Sequence, residues 1–168
     1  MKLRIAGIKK ESLVDGPGVC YVIFVQGCNH NCPGCHNPEA QPFDGGVEME
    51  IGAIFEEIAS LKGTDAVVFS GGEPFLQPVA LSLLGKKIHH LGLKIITYTG
   101  FTLEQLLENS PQKRDCQKLL EVTDILIDGP YIEEQKDLEL AFRGSKNQRI
   151  IDVKPSMKLK KAVVMSEL

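Results

Sequence analysis

The stretch that decides the reading is Tyr21-Val22-Ile23-Phe24-Val25-Gln26-Gly27-Cys28-Asn29-His30-Asn31-Cys32-Pro33-Gly34-Cys35. Its first part, Tyr21 to Gln26, is a run of apolar, mostly β-branched or aromatic residues, which predicts a strand buried on both faces. Its second part holds three cysteines within eight residues, spaced Cys28-x3-Cys32-x2-Cys35. Three thiolates on one short loop at the end of a strand suit a soft metal centre. Two metals compete on spacing alone. Zinc takes four closed ligands, and His30 or His36 can complete a Cys3His site in an interaction module without catalysis. An iron–sulfur cubane normally takes four cysteines, so three leave one iron open to a substrate or cofactor.

Outward from this stretch, similar apolar runs recur. Leu3 to Ile8, Ala66 to Ser70, Leu93 to Thr99, Thr123 to Asp128 and Ile150 to Val153 read as strands. Between them, Met49 to Leu61 places Ile51, Ile54, Phe55, Ile58 and Leu61 at helical spacing. Residues 76–91 and 103–121 also read as helices, the second broken near Ser110-Pro111. Buried strands alternating with helices predict an α/β fold with a parallel sheet. A closed eight-stranded barrel typically needs about 250 residues. A chain of 168 residues supplies only a partial, open parallel β/α barrel of five or six strands, expected as a single domain over 1–168 with a basic tail from about 154. In such folds the chemistry gathers at the carboxyl ends of the strands. The cysteine loop, Ser70-Gly71-Gly72-Glu73-Pro74, Thr99-Gly100 and Asp128-Gly129-Pro130 each follow a strand, so all four are expected on one rim.

Gly71-Gly72-Glu73-Pro74 has its own logic. Two glycines let backbone approach a ligand closely. Their carbonyls, with the Glu73 carboxylate, can bind an ammonium group through charge-assisted hydrogen bonds. The plain alternative is a tight strand-to-helix turn with an exposed Glu.

Composition narrows the class further. A formal charge of −3 and 24% charged residues are too balanced for a nucleic-acid or other polyanion binder. No apolar run approaches the ~20 residues of a membrane span, and Met1-Lys2-Leu3-Arg4-Ile5 opens no signal peptide. Five cysteines, an odd number, argue against a disulfide framework and for a cytoplasmic protein. Charge is uneven: Arg143 to Lys161 carries seven Lys or Arg against one Asp, a local +6. No Ser-His-Asp arrangement and no carboxylate pair stand out, so no catalytic side chain is expected beyond what a bound cofactor supplies.

CxxxCxxC followed by the Gly-Gly-Glu-Pro turn resembles the radical S-adenosylmethionine superfamily. The resemblance implies that Cys28, Cys32 and Cys35 hold a [4Fe–4S] cluster with one open iron. It implies that Gly71, Gly72 and Glu73 contact S-adenosylmethionine. Thr99 and Asp128, from their strand ends, are expected near the cofactor carboxylate, or near a monovalent cation for Asp128. Many members carry an aromatic residue before the last cysteine. Gly34 stands there, so His36 is the expected adenine contact.

Two further runs narrow the resemblance. Val14-Asp15-Gly16-Pro17-Gly18 is similar to the segment preceding the cluster in activases of glycyl-radical enzymes, although Val19-Cys20 stands where they carry Arg. Phe142-Arg143-Gly144-Ser145-Lys146-Asn147-Gln148-Arg149 resembles the RGSxNQR segment of one branch of these activases. That branch implies, as partner, the large anaerobic ribonucleoside-triphosphate reductase with its glycine-bearing loop, and an external electron donor such as flavodoxin. The implied reaction is reductive cleavage of S-adenosylmethionine and formation of a glycyl radical. Small radical enzymes of the deazapurine type share the cysteine start and form the alternative. Cys20 and Cys116 are expected to be structural.

Overall fold

The computed structural model describes residues 1–168. The four central apolar runs form β2 (Cys20–Val25), β4 (Ala66–Gly71), β5 (Lys94–Tyr98) and β6 (Ile125–Asp128), which lie side by side and parallel. Their apolar character is continuous because both faces are covered. Ile23, Val67, Phe69, Ile95 and Leu126 point into the main core. Cys20, Val22, Ala66, Val68, Ile96 and Ile127 line the other face in a smaller cluster with Phe24, Tyr98 and Phe142.

Helices α1 (Ile51–Ser60), α2 (Pro78–His89), α3 (Leu103–Leu106), α4 (Arg114–Val122) and α5 (Val153–Leu159) bury their apolar residues in the main core alone. Ile54, Ile58, Leu81, Leu84, Ile88, Leu119 and Leu120 are each no more than 1% exposed there. The expected break in 103–121 falls between α3 and α4, around a 3-10 turn at Pro111–Lys113. A Thr102–Gln105 capping box starts α3.

The sheet is larger and more mixed than a five- or six-stranded parallel barrel. It has eight strands in the order β3-β1-β2-β4-β5-β6-β7-β8. Its parallel centre is flanked by antiparallel strands: β1 (Lys2–Ser12) and β3 (Val47–Glu50) on one side, β7 (Arg149–Asp152) and β8 (Val164–Met165) on the other. The residues from 154 are not a tail. Val153 and Ser156 of α5 are buried, and β8 closes the edge of the sheet. Pro155 fits because it lies in the first turn of α5, where a missing N–H costs nothing.

No helix is long and apolar enough to cross a membrane. Because β2, β4, β5 and β6 run parallel, their carboxyl ends point to the same rim.

Candidate functional site

The cysteine loop leaves β2 at Gly27, whose φ of +103° only glycine tolerates readily. It is pinned at its base. Gly27 N–H donates to Ala40 O at 2.7 Å and Cys28 N–H to Gln41 O at 3.0 Å. The Gln26 side-chain amide donates to the Glu39 and Pro42 carbonyls at 3.0 and 2.6 Å. Between these pins run Cys28, Cys32 and Cys35, all three partly exposed and free.

The turn after β4 packs directly on this loop. Gly72 N–H donates to Val25 O at 2.7 Å, and Glu73 N–H donates to Gly27 O at 2.9 Å. The fit leaves no room for a side chain. A Cβ at Gly72 would stand 2.4 Å from Gly27 O and 2.8 Å from Ala40 O.

Cys28, Cys32, Cys35, His36, Gly71, Gly72 and Thr99 all line one cavity of about 720 Å³. Ligand pockets span roughly 300–1,000 Å³, so this one has room for a nucleoside-sized cofactor beside a cluster. Nowhere in the chain do three His, Cys, Asp or Glu side chains close up as they would around a single ion. A cubane asks for a wider spacing, because each of its protein ligands binds a different iron. Burial pushes the Cys28 thiol up. The His30 backbone N–H partly offsets this, while the nearby Glu73, Cys32 and Cys35 add to it. Metal binding there must displace a proton.

Two expected residues do not line the cavity. The Glu73 side chain is fully buried, with four partners. Its Oε1 accepts from Thr99 Oγ1 and from Phe75 N–H, each at 2.9 Å. Its Oε2 accepts from Gly100 N–H at 2.9 Å and lies 2.6 Å from His30 Nε2. Asp128 is 1% exposed and is taken up in the same way. Leu103 N–H donates to its Oδ2 at 2.8 Å, and the Arg149 guanidinium donates to Oδ1 at 3.0 Å and Oδ2 at 2.6 Å. Arg149 also pairs with Glu104, holding that carboxyl below its usual range. Both carboxylates therefore brace the rim from behind, each bonded to donors in the body of the protein. The cause is local: the left-handed Gly71, at φ +95°, turns the chain so that Glu73 points inward beneath Thr99 and Gly100.

The cavity wall includes residues that spacing did not single out. The Tyr98 hydroxyl donates to Asp15 O at 3.0 Å, and burial pushes its phenol upward. The Tyr131 ring lies tilted against His36, with centroids 4.9 Å apart. It also reaches within 3.3 Å of where a Gly34 Cβ would stand, at a φ of +77°. The space a Gly34 side chain would need is taken first by the Glu133 carboxylate, which the Tyr131 hydroxyl bonds, and then by the Tyr131 ring. Arg143 lines the same wall, and its Nε is the one buried side-chain nitrogen or oxygen without a partner. An unmade bond of that kind costs about 1–3 kcal/mol unless a ligand completes it. The preceding residue, Phe142, holds a left-handed φ of +63°, a strain of about 1–3 kcal/mol that such sites often carry. Cys20 and Cys116 are buried away from the cavity, with thiols pushed up by burial.

The donor set, the cavity and the unpartnered Arg143 fit an iron–sulfur cluster with a carboxylate-bearing cofactor beside it. Comparison with known proteins agrees. The family described as "4Fe-4S single cluster domain" matches residues 14–151, and the chain belongs to it. Its cofactors are a [4Fe–4S] cluster and S-adenosylmethionine, as in the radical S-adenosylmethionine enzymes.

The anaerobic ribonucleoside-triphosphate reductase-activating protein of Vibrio cholerae is 34% identical over 82% of this chain and 90% of its own length. That of Escherichia coli K12 is 32% identical over 81% and 90%. The chain therefore belongs to the family of anaerobic ribonucleoside-triphosphate reductase-activating proteins. The pyruvate formate-lyase-activating enzyme of Clostridium pasteurianum is 40% identical over 64% of this chain and 49% of its own. Among solved structures, QueE from Escherichia coli is similar at a TM-score of 0.46 and 16% identity, over 61% of this chain and 54% of that one.

Proposed function

We propose that this chain activates an anaerobic ribonucleoside-triphosphate reductase by generating a glycyl radical on it. The observation that carries the reading is the wall shared by Cys28, Cys32, Cys35 and the Gly71–Gly72 backbone in one cavity. When bound, the cluster and S-adenosylmethionine supply reductive cleavage of a carbon–sulfur bond and removal of a hydrogen atom.

The chain's own residues bind, orient and shield. Cys28, Cys32 and Cys35 hold the cluster. Gly71 and Gly72 offer backbone to the ammonium group of the cofactor, and Thr99 closes that side. Glu73 acts from behind the shelf instead of on it. His36 and Tyr131 present rings for the adenine. Arg143 brings a positive charge and a free N–H suited to a carboxylate. Asp128 holds Arg149 and, through it, the segment that carries Arg143.

The mouth of the cavity suits a polypeptide substrate. Val14 and Leu138 border it while 70% and 86% exposed. Exposed apolar residues gathered at a site mark an interaction surface, here for the glycine-bearing loop of the reductase. An acidic donor of the flavodoxin kind delivers the electron. All five cysteines are free, which suits the reducing cytoplasm.

The test is anaerobic reconstitution of the wild type and of Cys32→Ala with iron and sulfide, followed by dithionite reduction. Wild type is expected to bind four irons per chain and to release methionine from S-adenosylmethionine, and Cys32→Ala to do neither. Methionine release by Cys32→Ala at the wild-type rate would overturn the ligand set.

A further inference from the structure

Residues 29–36 contain two of the three cysteines, yet a single hydrogen bond from their side chains ties them to the body of the protein. Cys35 N–H donates to Cys32 O, and the Asn31 amide to Asn29 O, both within the loop. The exception is His30, whose Nε2 lies 2.6 Å from Glu73 Oε2.

The receiving site is shaped for that ring. Glu73 is buried on the far side by Thr99, Gly100 and Phe75, so its carboxylate is held rigidly and turns one position toward the loop. A buried carboxylate is costly unless every lone pair finds a donor, and His30 completes the set. The ring is only 17% exposed. Phe101 meets it edge-on at 4.6 Å. Gly100 leaves the space it fills, since a Cβ there would lie 2.6 Å from the imidazole. The bond joins two segments that the cavity needs in register: His30 lies between Cys28 and Cys32, and Glu73 directly follows Gly71 and Gly72.

We propose that His30 is a positioning residue, a latch that holds the cysteine loop against the Gly71–Gly72 turn through Glu73. Its ring lies at the edge of the same cavity, and its role there is exerted through the loop backbone that its bond to Glu73 fixes. The proposal rests on the reading of the cavity as a cluster and S-adenosylmethionine site. It applies equally to the metal-free chain, because the bond is formed by protein groups alone.

The experiment compares wild type, His30→Ala and His30→Gln, the last keeping an N–H donor for Glu73. The first readout is hydrogen exchange on the metal-free protein. His30→Ala is expected to raise exchange at least about tenfold at the hydrogen-bonded amides of Cys28, Cys35 and Gly100, the loss of a charge-assisted hydrogen bond being worth that much or more. The α3 segment, pinned separately by Asp128, stays at the wild-type rate, and His30→Gln returns toward it. The second readout is S-adenosylmethionine affinity after anaerobic reconstitution, followed by the change the cofactor causes in the electron paramagnetic resonance of the reduced cluster. His30→Ala keeps the wild-type iron content but binds about tenfold to a hundredfold more weakly, and His30→Gln recovers most of the loss.

Wild-type exchange and wild-type affinity in His30→Ala would overturn the proposal. Equal impairment of both variants would also overturn it, because the bond would then not be what matters. Should His30→Ala fail to fold, His30→Gln decides alone: wild-type exchange and affinity support the latch, and loss of both refutes it. A wild type that binds no iron or no S-adenosylmethionine refutes the functional reading instead, and the exchange result on the metal-free chain still decides the latch.

Discussion

Replacing Gly72 by Ala probes the contact on which the site depends. The added methyl would stand 2.4 Å from Gly27 O and 2.8 Å from Ala40 O, both backbone atoms that cannot swing aside as a side chain can. Overpacking of this kind costs about 1–3 kcal/mol. The same two carbonyls accept the hydrogen bonds from Glu73 N–H and Gly27 N–H that pin the turn and the loop base. Weakening one of them adds about 1 kcal/mol. The expected loss is therefore about 2–4 kcal/mol. With a urea slope of about 2 kcal/mol per molar, the unfolding midpoint of the metal-free protein falls by about 1–2 M. Gly52→Ala is the matched control. Gly52 lies in α1 with nothing within 4 Å of a new Cβ. Ala is the better helix former, so that variant gains about 0.5–1 kcal/mol. The assay is urea unfolding followed by circular dichroism on both variants. A Gly72→Ala midpoint within about 0.2 M of wild type would refute the close contact between turn and loop.

Other outcomes follow from the same structure. Asp128→Asn breaks the buried pair with Arg149, and the Glu104 contact that remains limits the loss to about 1–3 kcal/mol, read as a lower melting temperature. Glu57 is held below its usual range by the Lys10 ammonium at 2.5 Å and by the Tyr21 hydroxyl. A depressed carboxyl binds its proton less tightly folded than unfolded. Its stabilisation is therefore complete above the ordinary Glu value of 4.5 and is lost as pH falls through the lower folded value. Lys10→Met with Tyr21→Phe should flatten that acid limb in melting curves taken from pH 7 to pH 3. Leu138→Ser, at a position 86% exposed, should leave stability within about 0.5 kcal/mol and raise the reductase concentration needed for half-maximal activation.

The parallel centre of the sheet was legible because Tyr21–Val25, Ala66–Phe69 and Ile125–Ile127 are covered on both faces, and double burial writes itself as an unbroken apolar run. The flanks were not. Val47-Glu48-Met49-Glu50 is an edge strand, exposed or half-exposed along its length, so no apolar face marks it. Its pairing comes from β1 across the sheet, a contact no local pattern encodes. Helix α5 looked like a basic tail because its lysines face solvent and only Val153 and Ser156 are buried.

At the site, the three cysteines and the double glycine could be found from spacing. The direction of a carboxylate could not. Glu73 and Asp128 sit at strand ends as expected, but each finds its donors in the body of the protein. The signal for His30 was present, in a polar ring between two cysteines and a glycine after Thr99 at the facing strand end. Only the fold brings that ring and that glycine together.

The most direct test of the central claim is made on the partner. Purified protein, reconstituted anaerobically and reduced, is mixed with the large anaerobic ribonucleoside-triphosphate reductase and S-adenosylmethionine, and the mixture is frozen for electron paramagnetic resonance. The expected result is a glycyl-radical doublet on the reductase that requires S-adenosylmethionine and is absent with Cys32→Ala. Release of methionine at full rate with no radical on the reductase would contradict it.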